Sequence, residues 1–441
     1  MMMSGDENPV YDVKLSSVVP SRVTSEDRAD QEVTSMDLAL KLHYIRGLYF
    51  FRRTDVVAGM DIIDLKRPTF KLLDLYYPAS GRIRRRTDQE GRRRPFIKCN
   101  DGGVRIVEAK CRKTLDEWLS FNHNHQYSVS DHLLVHAQVL GPDLSFSPLV
   151  FLQFTRFKCG GLSVGLSWAH ILGDAFCASA FMNTWAQIVA GNVPSPPPTM
   201  PDPGNSHFRL SAAEKPRSLK SVPPVGDCWL ASGNCKMEVY SFHVTARQLE
   251  QIIPPITGAK GSSKPAYFQV LAALIWKSLA KVRGESGPSV VTICRRDPQK
   301  RKSEIFGNSL VIGTVGADFK VQEAGLLELA ELIAGKMEDE SNAIEEFVER
   351  EKEKPDLVVY GANLTFVNLE ELNVYELQLG GENPVFVNYT VGGVGDEGVV
   401  LVLPAAPEGG SGGRTVTAIL PENQIVELKN EVGKHLDWPI F

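Results

Sequence analysis

The strongest constraint on the fold is a proline-rich stretch near the middle of the chain, at residues 193–204. Proline has no amide donor and a fixed φ, so this stretch cannot continue a helix or form a central strand. It divides 441 residues into two parts, each long enough to bury a core of its own. We therefore predict an N-terminal lobe at residues 1–195, a crossover at 196–226 and a C-terminal lobe at 227–441.

Hydrophobic patterns on both sides of this crossover predict a mixed α/β protein. Apolar runs at residues 148–155 and 162–167 predict two strands, and Cys177, Phe181, Trp185 and Ile188 then follow at the spacing of one buried helix face. In the second half, one-face spacing predicts a helix from Leu326 to Met337. Strands are predicted there at residues 237–243, 289–294, 384–391, 399–403 and 415–420.

His170 stands where the second of these strands gives way to the helix, with Asp174 four residues later. An imidazole titrates near neutral pH, so a histidine held at such a junction can act as a general base on a hydroxyl or amine. A lone H-x-x-x-D pair occurs often by chance, so the surrounding sequence must decide its meaning. Asp174 lies across the start of a helix, where its carboxylate need not reach the ring.

Several segments, in order along nearly the whole chain, resemble the BAHD acyltransferases, plant enzymes that move acyl groups from coenzyme A thioesters onto alcohols or amines. The histidine segment is similar to their H-x-x-x-D-G motif, with Ala175 in place of the last glycine. The other similar segments are Ser35-Met36-Asp37-Leu38, residues 65–68 and 75–82, residues 99–104 and 107–109, residues 268–277 and Ile305-Phe306-Gly307-Asn308-Ser309.

One landmark of the family is degenerate. Where the family usually carries D-F-G-W-G-K-P, residues 378–384 read Gln-Leu-Gly-Gly-Glu-Asn-Pro. This loss resembles the eceriferum (glossy-like) branch, as do residues 159–162, 224–229 and 358–362. That branch implies support for the elongation of very-long-chain acyl-CoA in cuticular wax formation, beside a membrane-bound condensing enzyme.

The family resemblance implies two similar mixed-sheet lobes of the CoA-dependent acyltransferase type, with a tunnel between them. His170 would face the tunnel as general base, and Asp174 would support the site structurally, turned away and paired with Arg295 or Arg296. Acyl-CoA would be the ligand or substrate, with no permanently bound cofactor. Gly173 would allow the tight turn at the start of the helix.

Two hypotheses for the function follow from the resemblance. In the first, which we favour, the chain is a partner or modulator of an elongase condensing enzyme, a ketoacyl-CoA synthase, and is otherwise a monomer. In the second, it is a working CoA-dependent acyltransferase that transfers groups other than amino-acyl groups, with His170 as the base. The sequence leaves open whether His170 is used, as well as the acyl chain length and the acceptor.

Composition excludes several other classes of protein. A net charge of -5 gives no reason to expect nucleic-acid binding, and seven scattered cysteines without a C-x-x-C pair suggest a reducing compartment and no metal. His132 and His136 have metal-binding spacing, but no carboxylate motif accompanies them. No secretory signal and no transmembrane run are visible. We expect a cytoplasmic protein at the cytosolic face of the endoplasmic reticulum.

Overall fold

A computed structural model describes residues 8–87, 93–120, 132–137, 139–194, 214–231, 233–252, 266–297, 306–351, 356–406 and 412–436. Most of the proline-rich stretch lies outside these residues. The predicted boundaries at 195 and 226 therefore stay predictions. Within the described residues, no helix combines the length and the apolar composition needed to cross a bilayer.

The strands are numbered along the chain. They are β1 (Val10–Val18), β2 (Asp30–Glu32), β3 (Tyr44–Phe51), β4 (Arg82–Thr87), β5 (Arg93–Lys98), β6 (Val104–Cys111), β7 (Val150–Phe157), β8 (Leu162–Ala169), β9 (Lys220–Val222), β10 (Met237–Val244), β11 (Val290–Arg296), β12 (Leu310–Gly316), β13 (Glu338–Asp339), β14 (Asp356–Val358), β15 (Leu364–Asn368), β16 (Phe386–Gly392), β17 (Val399–Pro404) and β18 (Arg414–Pro421).

The α-helices are numbered in the same way. They are α1 (Ser35–Ala39), α2 (Asp55–Gly59), α3 (Ile62–Leu75), α4 (Leu115–Ser120), α5 (Ala175–Val189), α6 (Ala246–Ile252), α7 (Tyr267–Arg283), α8 (Leu326–Gly335), α9 (Ser341–Glu351) and α10 (Glu422–Leu436).

Two large mixed sheets organise the molecule, as the family resemblance implied. The first has the order β1-β6-β7-β8-β3-β16, and the second has the order β10-β18-β17-β15-β11-β12-β13. Each contains both parallel and antiparallel pairs. The central strand β8 is buried along its whole length, although Ser163 and Ser167 alternate there with apolar residues. Smaller sheets pair β14 with β9 and order β2-β5-β4.

One strand crosses from the second half of the chain into the first sheet. β16 pairs antiparallel with β3, although the sequence assigns residues 384–391 to the C-terminal lobe. On β16, the side-chain amide nitrogen of Asn388 donates to Ser241 Oγ on β10 (3.1 Å). The side-chain oxygen of Asn388 accepts from Thr417 Oγ1 on β18 (2.7 Å). All three side chains are buried, so satisfied polar groups hold the two sheets together where water is excluded.

The described end of the crossover is packed against both halves. The Lys41 ammonium and the Asp356 carboxylate form a buried ion pair (2.7 Å), and the other oxygen of Asp356 accepts from Val225 N (2.7 Å). The Trp229 carbonyl accepts from Tyr44 Oη (2.7 Å), and the indole is fully buried. Buried contacts therefore fix Val225 and Trp229 against elements of both halves of the chain.

Candidate functional site

His170 lies at the predicted junction of strand and helix. β8 ends at Ala169, His170 begins a single 3-10 turn, and α5 starts at Ala175. Between them Gly173 has a φ of +148°, and a Cβ there would lie 2.8 Å from the Gly307 carbonyl oxygen. Glycine alone fits such a conformation without strain, so the turn predicted at Gly173 is confirmed.

The His170 ring is enclosed. Only 1% of the residue is exposed, and Nε2 shares a hydrogen bond of 3.0 Å with the hydroxyl of Tyr360. Burial lowers the pKa of His170 below its usual 6.5, and the charge of Asp174 opposes this shift only in part. The imidazole is therefore neutral at pH 7. Its Nε2 already has a partner from within the chain.

Asp174 caps the helix that follows the histidine. Its Oδ1 accepts from the backbone amides of Phe176 (3.0 Å) and Cys177 (3.1 Å), which belong to the first turn of α5. Its Oδ2 accepts from Ser309 N (2.9 Å) and Ser309 Oγ (3.0 Å). One buried carboxylate thus joins the helix start to a loop of the second half of the chain.

The predicted ion pair of Asp174 with Arg295 or Arg296 is wrong. Both arginines belong to the described residues, and neither contacts the carboxylate, whose two oxygens already accept four hydrogen bonds. The guanidinium of Arg296 lies instead over the Phe176 ring, 4.9 Å from its centre. The sequence argument missed that the free amides at a helix start can satisfy a carboxylate without a cation.

Two segments that resemble family landmarks meet behind the histidine. The amide of Asn308 donates both to Asp37 Oδ1 (2.7 Å) and to the carbonyl oxygen of His170 (2.9 Å). Asp37 also closes a capping box with Thr34 at the start of α1, and burial raises the pKa of Asp37. The backbone of the histidine turn is therefore fixed from both halves of the chain.

His43 is a second buried histidine of the site, and the sequence analysis did not identify it. Its Nε2 accepts from the amides of Val359 (3.1 Å) and Tyr360 (3.3 Å), while its carbonyl oxygen accepts from His170 N (3.1 Å). An Nε2 that accepts carries no proton, so the neutral ring is protonated on Nδ1. Burial, and next the proximity of His170, lowers the pKa of His43 to about 3. Its position directly before an apolar strand was the available signal.

The degenerate family landmark forms a tight hairpin turn. Leu379 and Glu382 pair their backbones across Gly380 and Gly381, whose φ values are +60° and +85°. Two consecutive residues with positive φ favour this Gly-Gly sequence. A Cβ at Gly380 would lie 2.3 Å from the Val56 side chain, so the turn packs closely on α2.

A cavity of about 230 Å³ lies beside the start of α5. Neither His170 nor Tyr360 contributes to its walls. Its lining includes Phe176, Phe268, Arg295, Arg296, Glu370 and Glu371.

The other histidine candidates lie elsewhere. The ring of His136 stacks on Phe151, with 4.3 Å between centres, and His132 lies in a short turn.

Comparisons with known proteins identify the family. The sequence model of the Transferase family matches residues 10–435. Protein ECERIFERUM 2 of Arabidopsis thaliana is 43% identical over 437 residues, covering 96% of this chain and 98% of the relative. Protein ECERIFERUM 26-like of the same plant is 40% identical over 426 residues, covering 97% and 96%.

Among solved structures, F. graminearum TRI101 complexed with ethyl coenzyme A has a TM-score of 0.73 at 13% identity and covers 92% of this chain and 98% of that one. The chain belongs to the Transferase family, the BAHD transferases. Its likeness to the eceriferum branch and its two-lobed α/β fold are confirmed.

Proposed function

We propose that the chain acts in very-long-chain fatty acid elongation for cuticular wax, as a partner or modulator of a membrane-bound condensing enzyme. Its acyl-CoA ligand would bind between the lobes, and the partner would hold it at the cytosolic face of the endoplasmic reticulum. The relatives that bear the ECERIFERUM name support the process, at 40–43% identity over nearly the whole chain. The complex of TRI101 with ethyl coenzyme A supports the choice of ligand.

The hydrogen bond between His170 and Tyr360 is the observation that favours a modulator. A general base must come within about 2.6–3.2 Å of the group whose proton it takes. At His170 this position is filled by the Tyr360 hydroxyl, 3.0 Å from Nε2, in a site with almost no exposure to solvent. An external alcohol or amine would therefore have to displace the Tyr360 hydroxyl to reach Nε2.

The alternative is a catalytically active acyltransferase. It is favoured by the intact support of the histidine turn, since Asp174, Ser309 and Asn308 all hold the backbone in place. In this hypothesis the cavity beside α5 would receive part of coenzyme A, with Arg295 or Arg296 near its phosphates. The acceptor would have to displace Tyr360 before His170 could take its proton.

The deciding experiment measures acyl-chain length in a host that expresses a plant condensing enzyme. The arms are the wild-type chain, His170→Ala, His435→Ala and no added chain. His435 is an exposed histidine of α10 and serves as the matched control. Lengthening of the products by all three proteins supports the modulator. If His170→Ala alone loses the lengthening, or loses an acyl ester that the wild type forms, while remaining folded, the acyltransferase hypothesis replaces it.

A further inference from the structure

The backbone of Tyr360 is held firmly on both sides. Its amide donates to His43 Nε2 (3.3 Å), and its carbonyl oxygen accepts from Gly395 N (2.9 Å). The next residue, Gly361, has a φ of +85°, and a Cβ there would lie 2.4 Å from the Gly395 carbonyl oxygen. These contacts fix the backbone of the turn that carries Tyr360, and from this turn the Tyr360 side chain points towards the two histidines.

The side chain of Tyr360 fills the space between two histidine rings. Its ring centre lies 4.8 Å from that of His43 and 5.4 Å from that of His170, and only 2% of the residue is exposed. Burial keeps the pKa of Tyr360 well above 10, so the group that meets His170 Nε2 is a neutral phenol. A phenol is itself an alcohol with the chemistry of an acyl acceptor.

We propose that Tyr360 is the built-in occupant of a hydroxyl-binding pocket at His170, and that removing its side chain uncovers a site for a small aromatic alcohol. The pocket is bounded by the His43 ring on one side and by His170 Nε2 at its polar end. A buried cavity left by a deleted ring can bind a small aromatic molecule of the same shape. The inference rests on the proposed function, in which the wild-type chain presents no external acceptor to His170.

The test uses the full-length chain with Tyr360→Ala and two probes of nearly equal shape, phenol and toluene. Calorimetry and thermal unfolding measure their binding to the variant and to the wild type. We expect phenol to bind Tyr360→Ala about fivefold more tightly than toluene, because a hydrogen bond to Nε2 contributes about 1 kcal/mol. The wild type, with its pocket filled, should bind neither probe.

A second substitution ties the preference to the histidine. In Tyr360→Ala with His170→Leu, phenol should lose its advantage over toluene. Tyr389→Ala is the matched control, because it deletes another buried tyrosine, whose hydroxyl meets Tyr49 Oη (2.6 Å) rather than His170. Any phenol binding by that variant should be unchanged by His170→Leu.

Several results would overturn the proposal. They are a folded Tyr360→Ala that binds neither probe, equal binding of the two probes, or a phenol preference that survives His170→Leu. Should Tyr360→Ala fail to fold, ¹⁵N resonances of the histidines in Tyr360→Phe take its place. The Nε2 resonance of His170 must then move while that of His43 stays, and an unmoved His170 resonance rejects the contact.

The failure of this proposal is separable from that of the proposed function. Probe binding is measured on the purified chain without a condensing enzyme, whereas the function is measured as product length in a host. If Tyr360→Ala shows no preference for phenol while the wild type still lengthens the acyl products, only the pocket proposal is rejected. If Tyr360→Ala binds phenol as expected but the wild type does not lengthen the acyl products, only the modulator proposal is rejected.

Discussion

The backbone side and the ring side of His170 are held by different chemistry. On the backbone side, the Asp174 carboxylate and the Asn308 amide use charged or strongly polar groups that join the two halves of the chain. On the ring side, two neutral groups, His43 and Tyr360, enclose the imidazole. The first arrangement keeps the family motif in place, and the second leaves only 1% of its histidine exposed.

The comparison teaches that a residue of a family motif can have a structural task of its own. The helix cap and the contact with Ser309 give Asp174 a structural task that is independent of any reaction. Removing it would cost stability even in a chain that never transfers an acyl group. Stability measurements on the two sides of His170 can therefore separate structural from chemical roles.

The largest effect is expected from Asp174→Ala. The change leaves the amides of Phe176, Cys177 and Ser309 without their acceptor, so we expect the free energy of unfolding to fall by about 4 kcal/mol. Urea denaturation of the full-length chain measures it. Asp174→Asn keeps one acceptor oxygen and should lose about half as much. A loss below about 1 kcal/mol for Asp174→Ala would contradict the structural role.

On the ring side, His43→Ala should cost about 3 kcal/mol of unfolding free energy. It removes the acceptor of the Val359 and Tyr360 amides and leaves a cavity beside Tyr360. The matched control is His43→Gln, whose side-chain oxygen can still accept. Equal losses in denaturant for the two variants would show that the amides are not the source of the effect.

Part of the pH dependence of the free energy of unfolding follows from the buried His43. An unfolded histidine takes up a proton near pH 6.5, whereas folded His43 resists protonation down to about pH 3. The folded state binds fewer protons in this window, so stability decreases as the pH falls from 6.5 towards 3. His43→Gln should reduce that slope by up to about 1.4 kcal/mol per pH unit. An unchanged slope in denaturation between pH 6 and pH 4 would mean that His43 is charged in the fold.

The sequence predicted the elements around the site better than their partners. Residues 148–155 and 162–167 became β7 and β8, and the helix after Asp174 begins where predicted, because these are apolar patterns with clear ends. The strand at 384–391 is also present, but its pairing with β3 was not foreseen. An apolar alternation specifies a strand without saying which of two sheets it joins.

The candidate site was predicted only in part for a similar reason. His170 and Asp174 stand in one short segment, whereas Tyr360 reaches His170 from 190 residues away. In the sequence, residues 358–362 show a likeness to the eceriferum branch but no sign of a contact with His170. Contacts of this kind depend on how the two halves pack, which neither periodicity nor composition specifies.

The smallest effect is also the most informative about the ring side. Tyr360→Phe keeps the ring between the histidines and removes one neutral hydrogen bond, so we expect a loss of about 1 kcal/mol. A double-mutant cycle with His170→Ala should give a coupling of similar size, because the two groups contact each other directly. Tyr389→Phe, whose hydroxyl meets Tyr49 instead, should show no coupling to His170→Ala. A vanishing coupling for Tyr360 would mean that its hydroxyl does not engage Nε2 in solution. Nε2 would then be available to an acyl acceptor, and this result would favour the acyltransferase hypothesis over the modulator.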